Sequence, residues 1–190
     1  AVDLYMFGSN WFGSTLRHDW MALWAIAIAL MKKEKFFLGG GILAWAALIR
    51  VFPVISFVTL AAPMAWGFWK QRRAFAWKPY ARVALGAATF GAVLVLLSVF
   101  VFGLNAWPLW AEKILAMTGG RGINTVGLAN FVSHPVALKA IVLGFTAAAL
   151  FALRNDPLDE AAGFGPAMLA FVFSPMNYYL HCLFGVVVLG

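Results

Sequence analysis

Long apolar runs alternate with short clusters of cationic residues along this chain. The apolar runs lie at 20–31, 36–69, 83–103, 135–153 and 166–190. An α-helix needs about 20 predominantly apolar residues, or about 17 at the short end, to cross the hydrocarbon core of a bilayer. The pattern therefore predicts an all-α fold, a polytopic helical bundle embedded in a membrane.

The run at 36–69 has room for two short helices and is interrupted by Arg50 and Pro53. Proline lacks a backbone donor and disfavours helical conformation in the residue before it. We therefore expect a short helical hairpin that turns at Arg50–Pro53. A single kinked helix is the alternative.

The prediction comprises about six membrane segments in a single transmembrane domain, 1–190. An outer loop is expected at 104–134, with a short helix over 106–117. We expect the domain to belong to a longer chain, because the sequence begins without Met and ends inside an apolar run. The six segments lie near 16–31, 36–50, 53–69, 83–103, 135–153 and 166–190.

The cationic clusters predict how these segments are oriented. One cluster lies within Lys32–Lys35 and the other within Lys70–Arg82. Lys and Arg accumulate on the cytoplasmic side of membrane proteins. Both clusters lie on that side only if 36–69 crosses twice or re-enters. This favours the hairpin and places its tip, with Arg50, on the outer face.

Composition narrows the expected partners. Hydrophobic residues make up 64% of the 190 residues, charged residues make up 11%, and the net charge is +7. The cationic residues lie at the ends of apolar runs, where they act as topology signals and contact lipid headgroups. We therefore expect membrane lipids as partners and no nucleic acid. The single cysteine, Cys182, excludes an internal disulfide.

On this topology the polar residues at membrane depth lie mostly towards the outer face. Such residues usually face protein or a water-filled cavity, so we expect a shared cavity that suits a phosphate-bearing lipid. For Arg50 the alternative is a snorkelling anchor, and for Asp19 it is a favourable helix start. The spacing of His, Cys and acidic residues predicts no metal site. The outer-face residues are His18, Asp19, Arg50, Lys113, Arg121, Asn124, Asn130, His134, Asn177, Tyr178, Tyr179 and His181.

Three stretches carry a family resemblance. They are Ala-Ala-Leu-Ile-Arg-Val-Phe-Pro at 46–53, Asn-Thr-Val-Gly-Leu at 124–128 and Phe-Ser-Pro-Met-Asn-Tyr-Tyr at 173–179. In this order they resemble bacterial polytopic glycosyltransferases of the C superfamily, and look most like the polyprenol-phosphate-mannose-dependent mannosyltransferases. The resemblance covers most of 8–185.

The resemblance implies transfer of a sugar from a polyprenyl-phosphate donor at the outer face of a bacterial inner membrane. It implies that Arg50 and Arg121 bind the donor phosphate. Asn124, His134 and Tyr178 are the candidates for binding sugar or acceptor.

The catalytic residue is harder to predict. The family places its catalytic Asp or Glu in a first outer loop upstream of the matched region, so the catalytic residue here is unknown, with Asp19 and His18 as candidates. The sequence identifies no certain cofactor and leaves a divalent metal open.

Two other classes of protein remain open. One is a non-catalytic accessory subunit of a larger respiratory or photosynthetic complex that binds lipids or pigments, with His18 or His181 as a pigment ligand. The abundance of Trp and Phe favours it. The other is a transporter, for which two corresponding interrupted helices are expected and only the break at Pro53 is seen.

Overall fold

The structure is a computed structural model that describes residues 19–71, 74–118 and 131–168. Helices account for 84% of the described residues, and no strand occurs among them. The predicted all-α fold is therefore confirmed for this part of the chain.

Seven α-helices follow one another within the described ranges, and two short 3₁₀ turns accompany the last two of them. The α-helices are α1 (Asp19–Lys32), α2 (Phe36–Ile49), α3 (Val54–Gln71), α4 (Lys78–Phe102), α5 (Ala106–Thr118), α6 (Pro135–Ala152) and α7 (Leu158–Gly163). The 3₁₀ turns are Leu153–Asn155 and Gly165–Met168.

Two of the described helices are long and apolar enough to cross a membrane. They are α4, with 25 residues, and α6 continued through its 3₁₀ turn, with 21 residues from Pro135 to Asn155. Only 6% and 11% of their most apolar windows are buried, so neither has the burial of a core helix in a soluble domain. They correspond to the predicted segments 83–103 and 135–153.

The other predicted segments are not confirmed as crossing helices. Helix α2 has 14 residues, and 14 residues of α1 are described. This length gives about 21 Å of helix against a hydrocarbon core of about 30 Å. Helix α3 has 18 residues and does not reach the same combination of length and apolar composition. Most of the segment predicted at 166–190 lies outside the described residues.

The predicted break is present at Arg50–Pro53. Helix α2 ends at Ile49 and α3 begins at Val54, with a turn between them and the Pro53 side chain fully buried. The single kinked helix is therefore wrong, because two separate helices lie on either side of the turn.

Helices α1, α2 and α4 form the most closely packed layer of the described chain. A Cβ on Gly39 would lie 3.1 Å from the carbonyl oxygen of Ala27 in α1. A Cβ on Gly40 would overlap the backbone of Val83 in α4, and one on Gly86 would overlap the carbonyl of Phe37. Glycine therefore allows the backbones to approach more closely than any other residue would, as in membrane helix pairs.

Helix α3 begins beside the start of α1. The rings of Trp20 and Phe52 meet edge to face with centroids 6.0 Å apart, and Trp24 Nε1 donates to Ser56 Oγ at 3.1 Å. Both contacts join residues 32 apart, so the two helices run in the same direction over this turn. Because α2 packs back along α1 from a short loop, the chain reverses direction at Arg50–Pro53.

The predicted helix at 106–117 is confirmed as α5. The carbonyl of Asn105 accepts a hydrogen bond from the Leu109 amide at 3.2 Å, which starts the helix. Trp107 Nε1 donates to Ser98 Oγ at 2.8 Å, so the first turn of α5 folds back onto the last turns of α4.

Candidate functional site

Arg50 lies at the end of α2, where the chain leaves the helix. Its backbone is extended, with φ −140° and ψ 137°, and its amide donates to the carbonyl of Ala46 at 3.0 Å. The side chain is half-buried, and no carboxylate among the described residues pairs with its guanidinium. The break thus presents an arginine whose charge is not neutralised by the described part of the chain.

The backbone amides at the start of α3 are already used. The amides of residues 54–56 donate to the carbonyls three residues earlier, at 3.0–3.1 Å. These bonds satisfy donors that a helix N-terminus otherwise offers to an anion. An anion beside this turn would therefore be held by the Arg50 guanidinium rather than by those three amides.

Asp19 lies at the first residue of α1 and is exposed. Its Oδ1 accepts a hydrogen bond from the amide of Trp20 at 2.8 Å. A carboxylate in the first turn is favoured by the helix dipole, so the structural role considered for Asp19 is present. Through the contact of Trp20 with Phe52, this end of α1 lies beside the break that carries Arg50.

His134 precedes the first residue of α6 and caps that helix. Its Nδ1 accepts from the amide of Ala137 at 3.4 Å, and Pro135 occupies the first helical position. The imidazole is exposed. The Nδ1 atom of His134 is therefore used to cap the helix. A role for His134 in binding a sugar stays a prediction.

Several predicted site residues lie outside the described residues. They are His18, Arg121, Asn124, Asn130, Asn177, Tyr178, Tyr179 and His181. The shared outer cavity that was to join them to Arg50 therefore stays a prediction. Within the described ranges, no group of three or more His, Cys, Asp or Glu side chains is placed to hold a metal ion.

A second cationic position, Arg154, is not among the site residues predicted from the sequence. Its guanidinium carbon lies 5.4 Å from the ring centre of Trp66 and 3.6 Å from that of Phe151. Arg154 follows an apolar run directly, and Trp66 lies one helical turn before Lys70. Only the tertiary packing of α3 on the turn after α6 shows that the two side chains meet.

No family model, curated protein or solved structure matches this chain.

Proposed function

We propose that this chain is the transmembrane part of a glycosyltransferase that takes a sugar from a polyprenyl-phosphate donor at the outer face of a bacterial inner membrane. The observation that carries the proposal is Arg50. The sequence stretch that resembles the family ends at a helix break, and the break presents a half-buried arginine without a described carboxylate partner. Arginine suits this role because its planar fork matches the oxygens of a phosphate.

The proposed membrane arrangement has six segments. Helices α4 and α6 cross the bilayer fully, and α2 with α3 enters and returns, so that the 50–53 turn is at the outer face. The reversal of chain direction at this turn supports the arrangement. The cationic loops 32–35 and 70–82 then lie together on the cytoplasmic side, as the positive-inside rule requires.

The proposed reaction is a displacement with inversion at the anomeric carbon. A carboxylate removes the proton from the acceptor hydroxyl while the hydroxyl oxygen bonds to the anomeric carbon. The bond from that carbon to the phosphate oxygen breaks at the same time. Arg50 and Arg121 stabilise the negative charge of the departing lipid phosphate. Asp19 is the candidate base because it is exposed near the Arg50 turn.

Substitution of Arg50 tests the proposal in the full-length protein. Arg50→Lys keeps the charge but loses the fork, and Arg50→Ala loses both. We expect initial rates of transfer from a polyprenyl-phosphate sugar to fall about tenfold for Arg50→Lys and further for Arg50→Ala, since a charge-assisted hydrogen bond contributes about 1.5–3 kcal/mol. The rates are measured in proteoliposomes with radiolabelled donor.

Arg82→Ala is the matched control, because Arg82 is an exposed arginine in the cytoplasmic cluster. Its transfer rate and the expression of all three variants should match the wild type. Wild-type transfer by Arg50→Ala, or no transfer from any lipid-phosphate sugar by the intact protein, would contradict the proposal.

The second candidate is an accessory subunit of a larger membrane complex. It accounts for the bare apolar surface of α4, where Leu96 is 68% exposed and Phe100 is 89% exposed. Neighbouring subunits cover such a surface in an assembly, whereas lipids cover it in a free enzyme. Purification of the intact protein in a mild detergent separates the two, since a subunit stays in a stoichiometric complex and an enzyme transfers sugar alone.

A further inference from the structure

Arg154 lies at the end of α6, where the 21-residue apolar segment Pro135–Asn155 meets the membrane surface in the proposed arrangement. Its Nη1 donates to the carbonyl of Phe151, and the guanidinium stacks on the Phe151 ring. The side chain is thereby held against its own helix, with its charge facing Trp66 of α3.

Two N–H groups at this contact lack acceptors. Arg154 Nε and Trp66 Nε1 are both buried without a hydrogen-bond partner. Nε belongs to the edge of the guanidinium that, with Nη2, binds carboxylates and phosphates in a bidentate manner. A buried donor without an acceptor is unfavourable, so two of them at one contact point to a missing acceptor.

The described chain supplies no anion for this position. No carboxylate among the described residues lies within ion-pair distance of Arg154, including Asp156 two residues further along. Residue Arg154 is only partly buried, whereas its Nε atom is buried, so the guanidinium has to turn outward to meet a ligand at the membrane surface. Phospholipid phosphates lie at this depth and attract cationic side chains.

We propose that Arg154 and Trp66 form a binding site for the phosphate of a membrane phospholipid, in the crevice between α3 and the turn after α6. A phosphate oxygen accepts from the Nε–Nη2 edge of Arg154 as the guanidinium turns outward, and a second accepts from Trp66 Nε1. The lipid chains lie along the exposed apolar face of α6. This inference rests on the membrane placement in the proposed function and is independent of sugar transfer.

Lipid titration of the full-length protein in a maltoside detergent tests the site. The probe is dioleoylphosphatidylglycerol, and bound lipid is counted by native mass spectrometry. We expect Arg154→Gln and Trp66→Phe each to weaken binding about tenfold, and Arg154→Lys to weaken it less. Trp66→Phe keeps an aromatic ring beneath the guanidinium and removes only the N–H donor, so it does not depend on the folding of the Arg154 variants.

Control variants and control ligands test whether the binding depends on Arg154, Trp66 and the lipid phosphate. Trp69→Phe, next to Trp66 but exposed, and Lys139→Gln, an exposed cation of the same helix α6, should bind the lipid like the wild type. Dioleoylglycerol, with the same chains and no phosphate, should not compete, and sodium phosphate should compete only weakly.

Three results would overturn the site. They are equal binding of dioleoylglycerol and the phospholipid, phosphate alone competing as strongly as the lipid, and wild-type lipid binding by Trp66→Phe. Sugar transfer is not part of this measurement, so its loss or presence leaves the conclusion about Arg154 unchanged.

Discussion

One buried hydrogen bond joins Trp24 in α1 to Ser56 in α3. Trp24 is 1% exposed and Ser56 is fully buried, and their bond spans α1 and α3. Ser56 also lies against Gly165, whose Cβ position would overlap the serine side chain. A polar pair at this depth is stable only while both partners are present, because neither reaches water.

Ser56→Ala should therefore lower the free energy of unfolding by about 1–2 kcal/mol, because it leaves the indole N–H of Trp24 buried without an acceptor. In a Trp24→Phe background the same change should have a much smaller effect. Chemical unfolding in detergent, followed by circular dichroism, measures both.

The half-buried pair of Trp107 and Ser98 is the matched comparison. Ser98→Ala should be milder than Ser56→Ala, since water reaches the indole of Trp107. Equal effects of Ser56→Ala in both backgrounds would exclude the Trp24 bond as the cause.

At the residue scale, the break and the helix that local sequence determines could be predicted, and the contacts between side chains of distant helices could not. Proline chemistry at Pro53 predicted the break, and the sequence at 106–117 predicted α5. The partners of Trp24 and Arg154 depend on how distant helices dock, which a single sequence does not encode in any local pattern. The shared site at Arg50 stays a prediction, because several residues predicted to join it lie outside the described residues.

Helices α2 and α4 approach each other closely at glycines, and the rings of Phe37 and Phe90 also meet edge to face between them. Gly40 faces the backbone of Val83, and Gly86 faces the carbonyl of Phe37. At Gly41 the neighbour is the ring of Phe90, which can move. The closeness of the two backbones makes this contact sensitive to a single methyl group.

Gly40→Ala and Gly86→Ala should each destabilise the protein by about 1–3 kcal/mol or more, because the added methyl group meets backbone that can yield only if the helices separate. Gly91→Ala is the control in the same helix α4, where the added Cβ meets open space. It should be neutral or stabilising by up to about 1 kcal/mol from helix propensity. Thermal unfolding of the three variants in one detergent gives the comparison, and a Gly86→Ala protein as stable as Gly91→Ala would contradict the close contact.

The predicted helices were accurate where hydrophobic runs were uninterrupted. The prediction 83–103 corresponds to Lys78–Phe102, and 135–153 corresponds to Pro135–Ala152. The prediction 16–31 corresponds to Asp19–Lys32, and its first three residues, 16–18, lie outside the described residues. Apolar composition alone does not distinguish a crossing helix from a short helix that is covered by its neighbours, as α2 is by α1 and α4.

For the whole molecule, the directions of α1, α2 and the first turn of α3 relate the two cationic loops. Helix α2 returns along α1 from the loop at 33–35, and α3 then runs in the same direction as α1 from the contact of Trp20 with Phe52. The first turn of α3 therefore runs towards the same side as the C-terminal end of α1. The positive-inside rule reaches the same arrangement from charge alone.

We therefore expect Glu34→Cys and Ala76→Cys, each in a Cys182→Ser background, to react with a membrane-impermeant maleimide from the same side of the membrane. Both positions are exposed, and Ala76 is preferred to Phe75, which packs against Phe68 and Tyr80. Labelling of inverted vesicles and of intact spheroplasts distinguishes the two sides, and we expect labelling in the inverted vesicles because cationic loops stay in the cytoplasm.

Asn105→Cys, in the exposed turn between α4 and α5, provides the opposite-side control. Helix α4 has the length to cross once between Ala76 and Asn105, so the two positions should label from opposite sides. If Glu34→Cys and Ala76→Cys label from opposite sides, the segment 36–71 crosses once, and the reversal at Arg50–Pro53 does not place that turn at the outer face. If all three positions label from the same side, α4 does not cross, and the membrane arrangement on which both proposals rest is wrong.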